Sequence, residues 1–90
     1  MIMTAVHLSA AAQSVVEETG VRPQDDVEAL ICMRQSPAGL LELCLRGVED
    51  DGRRDAWIEY VQAVVRVAHP ELASDLRAEL DAAIVEARQA

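Results

Sequence analysis

Two histidines and two cysteines are the side chains of this 90-residue chain best suited to catalysis or metal binding. His7 lies two positions before Ser9, but the sequence shows neither a glycine-flanked nucleophile nor a residue that would orient the histidine as a base. His69 precedes Pro70, which predicts a residue at the junction of two helices. The carboxylates fall on outer helix faces. We therefore expect no enzymatic activity.

The cysteines, Cys32 and Cys44, lie within apolar stretches twelve positions apart. In zinc sites, paired cysteine ligands are usually separated by roughly two to four residues in the sequence, and histidine ligands lie nearby. The two cysteines and two histidines here fall on different predicted elements. We predict buried free thiols of a reducing cytoplasm, with a disulfide as the alternative, and neither a metal nor a cofactor.

Carboxylates outnumber basic residues by 16 to 8, which gives a formal net charge of −8. Nucleic-acid binders usually carry a basic stripe because phosphate contacts dominate their affinity. Here the one adjacent basic pair, Arg53 and Arg54, has acidic residues on both sides. The composition argues against a nucleic-acid partner, and a helix-turn-helix DNA binder stays as a third hypothesis that a salt-dependent DNA shift assay would test.

No apolar run approaches the roughly 18 residues needed to cross a membrane. The N-terminal Met1-Ile2-Met3 is followed by Thr4 and has no basic segment before it, unlike a signal peptide. We predict a cytoplasmic protein without direct membrane contact. All eight basic residues are arginine, which is typical of GC-rich bacterial coding sequence.

The chain is organised around residues 52–80, which predict two amphipathic helices. Pro70 separates them, since proline lacks an N–H, disfavours helix at His69 and suits the first turn of a new helix. The apolar residues of each helix repeat with a 3.6-residue period, so each helix has one core-facing side. The core positions are Trp57, Val61, Val64, Val65 and Ala68 in the first helix and Leu72, Leu76, Leu80, Ala83, Ile84 and Ala87 in the second.

Trp57 and Tyr60 are the only aromatic residues. We predict Trp57 as a core anchor and Tyr60 at the edge of the same face, with its hydroxyl in water. The rest of the core must consist of Leu, Val, Ile and Ala.

Three shorter helices are predicted before this stretch, over residues 4–18, 23–34 and 37–46. Gly20 suits the end of the first helix, and Ser36 suits the N-cap of the third. Their core positions are Leu8, Ala12, Val15 and Val16, then Val27, Leu30 and Ile31, then Leu40, Leu41, Cys44, Leu45 and Val48.

A β-hairpin is an alternative for residues 29–45. Residues 41–45 alternate like a strand and would pair with residues 29–33 across a Ser-Pro-Ala-Gly turn. The Ser36-Pro37 start signal favours a helix instead. We predict one all-α domain over residues 1–90, whole or cut from a longer chain, folded as a compact five- or six-helix antiparallel bundle.

Four segments resemble the caspase-recruitment domain (CARD), a module of the death fold. Residues 20–30, GVRPQDDVEAL, are similar to the connector and second helix of that family. Residues 39–47, GLLELCLRG, look like its fourth helix, and residues 56–64, AWIEYVQAV, like its fifth. Residues 70–76, PELASDL, resemble the start of its sixth.

The resemblance implies a six-helix Greek key that has no catalytic activity and binds another death-fold domain or a second copy of itself. Members act as adaptors in innate immunity and regulated cell death. In bacteria, similar domains are attached to proteases or other effectors of antiphage defence, which implies partners of those kinds.

Two groups of opposite charge suit such binding. Patches of unlike sign allow head-to-tail contacts, which build a filament when the rotation does not close. We expect both aspartates of the acidic group to be exposed, in the first turn of the second helix. The candidate interface residues are Asp25, Asp26 and Glu28 in the acidic group and Arg46, Arg53 and Arg54 in the basic group. The competing hypothesis is a stand-alone acidic helical regulator, such as a phage-encoded inhibitor, that covers a basic protein surface.

Overall fold

The structure, a computed structural model, describes residues 6–89. These residues form five helices, which are α1 (Ala10–Thr19), α2 (Pro23–Ile31), α3 (Pro37–Leu45), α4 (Asp51–Ala68) and α5 (Ser74–Gln89). No strand occurs within residues 6–89. The prediction of an all-helical bundle is therefore confirmed, and the hairpin alternative for residues 29–45 is wrong.

The central helix of the bundle is α4. It contacts each of the other four helices, whereas α5 packs chiefly against α3. Because neighbours cover α4 on several sides, its buried residues extend well beyond one 3.6-residue stripe. The core residues of α4 are Ala56, Trp57, Ile58, Tyr60, Val61, Ala63, Val64 and Val65.

The aromatic pair lies within this core. Trp57 is 4% exposed, so its predicted role as a core anchor is confirmed. Tyr60 stands edge-on to it, with ring centroids 5.4 Å apart and planes at 90°. The prediction that the Tyr60 hydroxyl reaches water is wrong, because Tyr60 is fully buried between α4 and its neighbours.

The first helix begins later than predicted. Ser9 caps α1 by accepting the N–H of Ala12 on its side-chain oxygen at 3.2 Å, so the helix starts at Ala10. Residues 6–9 precede the helix without helical structure, and the predicted start, Thr4, lies outside the described residues. Leu8 belongs to the bundle but lies before the helix. The spacing of apolar residues alone does not show whether such a residue is inside a helix or ahead of it.

Side-chain caps also fix the starts of α3 and α4. Ser36 accepts the Gly39 N–H at 3.0 Å, which confirms the predicted N-cap. Asp50 accepts the Arg53 N–H at 2.9 Å, so part of the acidic turn before α4 is a helix cap.

The last helix begins at Ser74, and the prediction that Pro70 opens it is wrong. Residues 70–71 form a turn, and residues 72–73 are not helical. His69 ends α4 with a φ of −138° and a ψ of 78°, outside the helical region, and residues 70–73 connect it to α5, which packs chiefly on α3.

The bundle is flat. Its Cα radius of gyration is 12.4 Å, and its extents are 38 × 30 × 19 Å. The radius agrees with the ~12.2 Å expected for a compact chain of this length. The shortest extent is about two helix diameters. All five helices therefore keep a side that faces solvent.

Candidate functional site

A Schellman motif ends α2, and methionine occupies the position that usually holds glycine. The N–H of Arg34 donates to the Ala29 carbonyl at 2.9 Å, and the N–H of Met33 donates to the Leu30 carbonyl at 3.2 Å. Met33 has a φ of 59°, in the left-handed region. This costs a residue with a Cβ roughly 1–2 kcal/mol. The helix consequently ends at Ile31, so the prediction that it ends near Arg34 is wrong.

Glycine does take the left-handed position after the two neighbouring short helices. The glycine after α1 has a φ of 75°, and the one after α3 has a φ of 76°. A glycine thus ends α1 and α3 without this conformational cost, whereas α2 ends with a methionine in the same conformation.

Two large apolar side chains project into solvent at this turn. Met33 is 63% exposed and Ile31 is 55% exposed, and Cys32 between them is exposed as well. The predictions of a core position for Ile31 and a buried thiol for Cys32 are wrong. The 3.6-residue period is compatible with a core position for both Leu30 and Ile31. However, α4 covers only the side of α2 that carries Leu30, which is fully buried.

Two of the three candidate acidic residues, Asp25 and Glu28, lie on the same exposed side of α2. Asp25 pairs with Arg22 at 4.0 Å and Glu28 with Arg34 at 3.9 Å. All four side chains are between 67% and 82% exposed, and such pairs contribute only ~0–1 kcal/mol. Both carboxylates therefore remain accessible to a partner. We define the α2 surface as Asp25, Glu28, Ile31, Cys32 and Met33.

The third acidic candidate, Asp26, points the other way. It is half-buried, and its carboxylate accepts a hydrogen bond from the Tyr60 hydroxyl, which joins α2 to α4. Burial, and then this hydrogen bond, raise the pKa of Tyr60 above its usual range. The expectation that Asp26 is exposed is wrong, because it sits on the inner side of the first turn of α2.

Cys44 of α3 lies near the same carboxylate. Burial, and then the charge of Asp26, raise the pKa of its thiol to about 12. Because the thiolate is the reactive form of cysteine, Cys44 is not a nucleophile near neutral pH. Both cysteines are free thiols.

The candidate arginines are mostly engaged within the chain. Arg53 donates to Glu18 at 2.8 Å and joins α4 to α1. Arg54 donates to Asp51 at 2.8 Å, and its side chain is only 15% exposed. Arg46 is exposed at the C-cap of α3, and no carboxylate of residues 6–89 lies within ion-pair distance of it.

The structure does not bring the three arginines into one basic surface. Arg46 and Arg53 line a groove of about 450 Å³ with Glu49 and Asp50. A separate groove of about 420 Å³ is lined by Asp51, Arg54, Asp55 and Arg88. Carboxylates share both grooves, so neither one is a basic patch.

His69 and Ser9 hold helices together. Nε2 of His69 lies 3.0 Å from the Leu30 carbonyl, and it is the donor because a carbonyl oxygen only accepts. This bond fixes the C-terminus of α2 against the end of α4. The predicted junction role of His69 is confirmed by its position as the C-cap of α4, before the connection to α5. Ser9 donates to the Glu59 carboxylate on α4, and His7 is exposed. The pair His7 and Ser9 therefore does not form a nucleophile with its base.

Among residues 6–89, no group of three or more His, Cys, Asp and Glu residues is placed to hold a metal ion. No helix in that part of the chain has both the length and the apolar character to cross a membrane. Comparison with known proteins finds no matching family model, no similar curated protein and no matching solved structure. The CARD resemblance stays a prediction from the sequence motifs.

Proposed function

We propose that this chain is a non-catalytic protein-interaction domain and that the α2 surface is its contact surface. Met33 carries the proposal, because a large apolar side chain is 63% exposed there on a backbone with a φ of 59°. Glycine would remove the strain. Strain of about 1–3 kcal/mol of this kind is concentrated at functional sites, where the side chain contributes something besides stability.

The composition of the α2 surface suits a protein partner. Interfaces combine an apolar centre with a polar rim, and a few residues supply most of the binding energy. Ile31 and Met33 would form the centre, with Asp25 and Glu28 at the rim. Methionine adapts its shape to a partner better than branched side chains do. The acidic rim favours a partner with basic groups around an apolar patch.

The resemblance of residues 20–80 to a CARD favours another death-fold domain, or a second copy of this chain, as that partner. The function is then recruitment through homotypic association, with a six-helix Greek key as the corresponding fold. The chain would act as a cytoplasmic adaptor in bacterial antiphage defence and regulated cell death, linked to a protease or another effector.

A second function is favoured by one observation. Arg53 and Arg54, two of the three arginines predicted as the basic half of a self-contact, are engaged by Glu18 and Asp51 of the same chain. A stand-alone acidic regulator, such as a phage-encoded inhibitor, needs only the α2 surface and a basic partner. The two functions differ in whether the purified protein associates with itself.

The test compares two double variants by light scattering over a concentration series. Ile31→Ser with Met33→Ser removes the apolar centre of the α2 surface. Leu43→Ser with Val85→Ser is the matched control, because these residues are 49% and 54% exposed on α3 and α5. We expect the first variant to weaken self-association by at least about tenfold, as for hot-spot residues, and the control to leave it unchanged.

Equal behaviour of the two variants would contradict the α2 surface as the contact. A monomeric parent protein that binds a basic protein through Ile31 and Met33 would support the regulator over the adaptor. Circular dichroism confirms that each variant keeps its helices.

A further inference from the structure

A cleft between α4 and α5 is lined by Arg66 from one helix and Arg77 from the other. Its volume is about 180 Å³. Val65 and Leu80 form an apolar floor, 2% and 1% exposed, and Gln62 completes the lining. The cleft therefore combines an apolar floor with two guanidinium groups.

No carboxylate neutralises this cleft. Within residues 6–89 neither Arg66 nor Arg77 has an acidic partner, although the chain holds 16 acidic residues. The groove between α3 and α5, of about 560 Å³, includes Glu42 and Glu86 in its lining. The grooves around Arg46 and Arg54 also contain carboxylates. The α4–α5 cleft is thus basic on a molecule whose net charge is −8.

One arginine of the cleft is oriented by the backbone. Nε of Arg66 donates to the Gln62 carbonyl at 3.4 Å. This leaves the two terminal nitrogens of the guanidinium for a ligand. Arginine binds carboxylates through parallel hydrogen bonds with this planar geometry.

The size of the cleft points to small acidic groups. Pockets for drug-sized ligands have volumes of about 300–1,000 Å³, so a cleft of about 180 Å³ admits only one or two side-chain ends. Asp25 and Glu28 are spaced i, i+3 on a helix, with Cβ atoms about 5–6 Å apart. Arg66 and Arg77 both line the cleft. Two exposed carboxylates thus match two arginines in number and charge.

We propose that the α4–α5 cleft receives Asp25 and Glu28 of a second copy of this chain. This inference rests on the proposed function, since it takes the α2 surface as the contact. It assigns the basic half of the contact to Arg66 and Arg77 in place of Arg46, Arg53 and Arg54. Each molecule then offers one acidic and one basic half, so the contact is head-to-tail and repeats.

The test reverses the cleft charges and measures self-association by light scattering. The cleft variant, Arg66→Glu with Arg77→Glu, is compared with Arg88→Glu, which reverses an exposed arginine outside the cleft and outside the candidate interface residues. We expect the cleft variant to lose at least about tenfold in association, as for broken interfacial ion pairs, and well beyond the control. Mixing it with Asp25→Arg, Glu28→Arg should restore association between the two variants.

The possible failures are distinguishable. If the serine variants at Ile31 and Met33 abolish association while the cleft variant matches its control, the cleft assignment is overturned and the proposed function stands. If neither set changes association, both are overturned. Arg66→Gln with Arg77→Gln repeats the measurement should the reversed variant lose its helices.

Discussion

Met33 sets fold stability against binding at a single residue. Its replacement by glycine removes the strain of a Cβ at a φ of 59°, and glycine is the usual residue at this position of a Schellman motif. We expect Met33→Gly to raise the free energy of unfolding by about 1 kcal/mol, since the greater freedom of glycine in the unfolded chain offsets part of the relief.

The same variant should bind its partner more weakly, because it lacks the exposed thioether side chain. Chemical denaturation and light scattering on one preparation measure the two effects. A variant that is both more stable and equally associated would show that Met33 has no part in the contact.

Cys44 makes stability depend on alkaline pH. The pKa of its thiol is about 12 in the folded protein against an ordinary value of 9.0, so the unfolded chain loses this proton first. The free energy of unfolding should therefore be unaffected by this group below pH 9.0 and fall as the pH rises from there toward about 12. Tyr60, whose pKa is also raised, adds to the fall above its ordinary value of 10.0.

Urea denaturation from about pH 8 to pH 10 measures this slope. Cys44→Ala should flatten it, whereas Cys32→Ala, which removes an exposed thiol, should not. Equal slopes for the two variants would place the ionising group elsewhere.

The start of α4 depends on one acidic residue among several. Asp50 accepts the Arg53 N–H at 2.9 Å, and its neighbour Glu49 is exposed beside it. We expect Asp50→Ala to lower the free energy of unfolding by about 1 kcal/mol, as for the loss of an N-cap, and Glu49→Ala to leave it within about 0.5 kcal/mol. Thermal unfolding of the pair at one pH measures the difference, and equal losses would mean that the cap contributes nothing.

Element type was predictable from the sequence, and element ends were less so. The period of apolar residues predicts all five helices, because it depends only on which side of a helix is covered. Starts follow the residue that captures a free N–H, and the apolar period does not mark Ser9 as that residue. Pro70 suits a first turn, but the connection between α4 and α5 continues to residue 73, so it is longer than a proline alone indicates.

The candidate site was only half predictable for a related reason. The exposed acids Asp25 and Glu28 could be chosen from the sequence, since charged residues in an outer face are easily recognised. The exposure of Ile31 and the burial of Tyr60 could not, because both depend on how far α4 reaches and how many helices surround it. Arg66 and Arg77 are distant in sequence, and only the packing of α5 on α4 makes them neighbours.

The charge of the whole molecule should give self-association a salt optimum. The net charge is −8 and the longest extent is 38 Å. At about 10 mM salt the screening length is ~30 Å, so two copies repel as whole bodies. At about 0.15 M it is ~8 Å, so that repulsion is largely screened while close ion pairs persist, and at about 1 M the pairs are screened as well.

We therefore expect self-association to be strongest near physiological salt and weaker on either side. Binding to a basic protein of another kind should instead decrease steadily as salt is added, because net attraction then adds to the local pairs. Sedimentation at three salt concentrations separates the two functions. A steady decrease of self-association would contradict the part assigned to net charge.

The Trp57–Tyr60 pair gives the protein a fluorescence signal that originates entirely in its core. Trp57 is the single tryptophan, is 4% exposed and lies edge-on to the single tyrosine. Neither the α2 surface nor the α4–α5 cleft contains an aromatic residue. Emission from the native protein should thus be blue-shifted, move to the red when the bundle opens, and stay nearly constant when a partner binds outside. The wavelength of maximum emission therefore distinguishes a variant that is unfolded from one that is folded but does not bind.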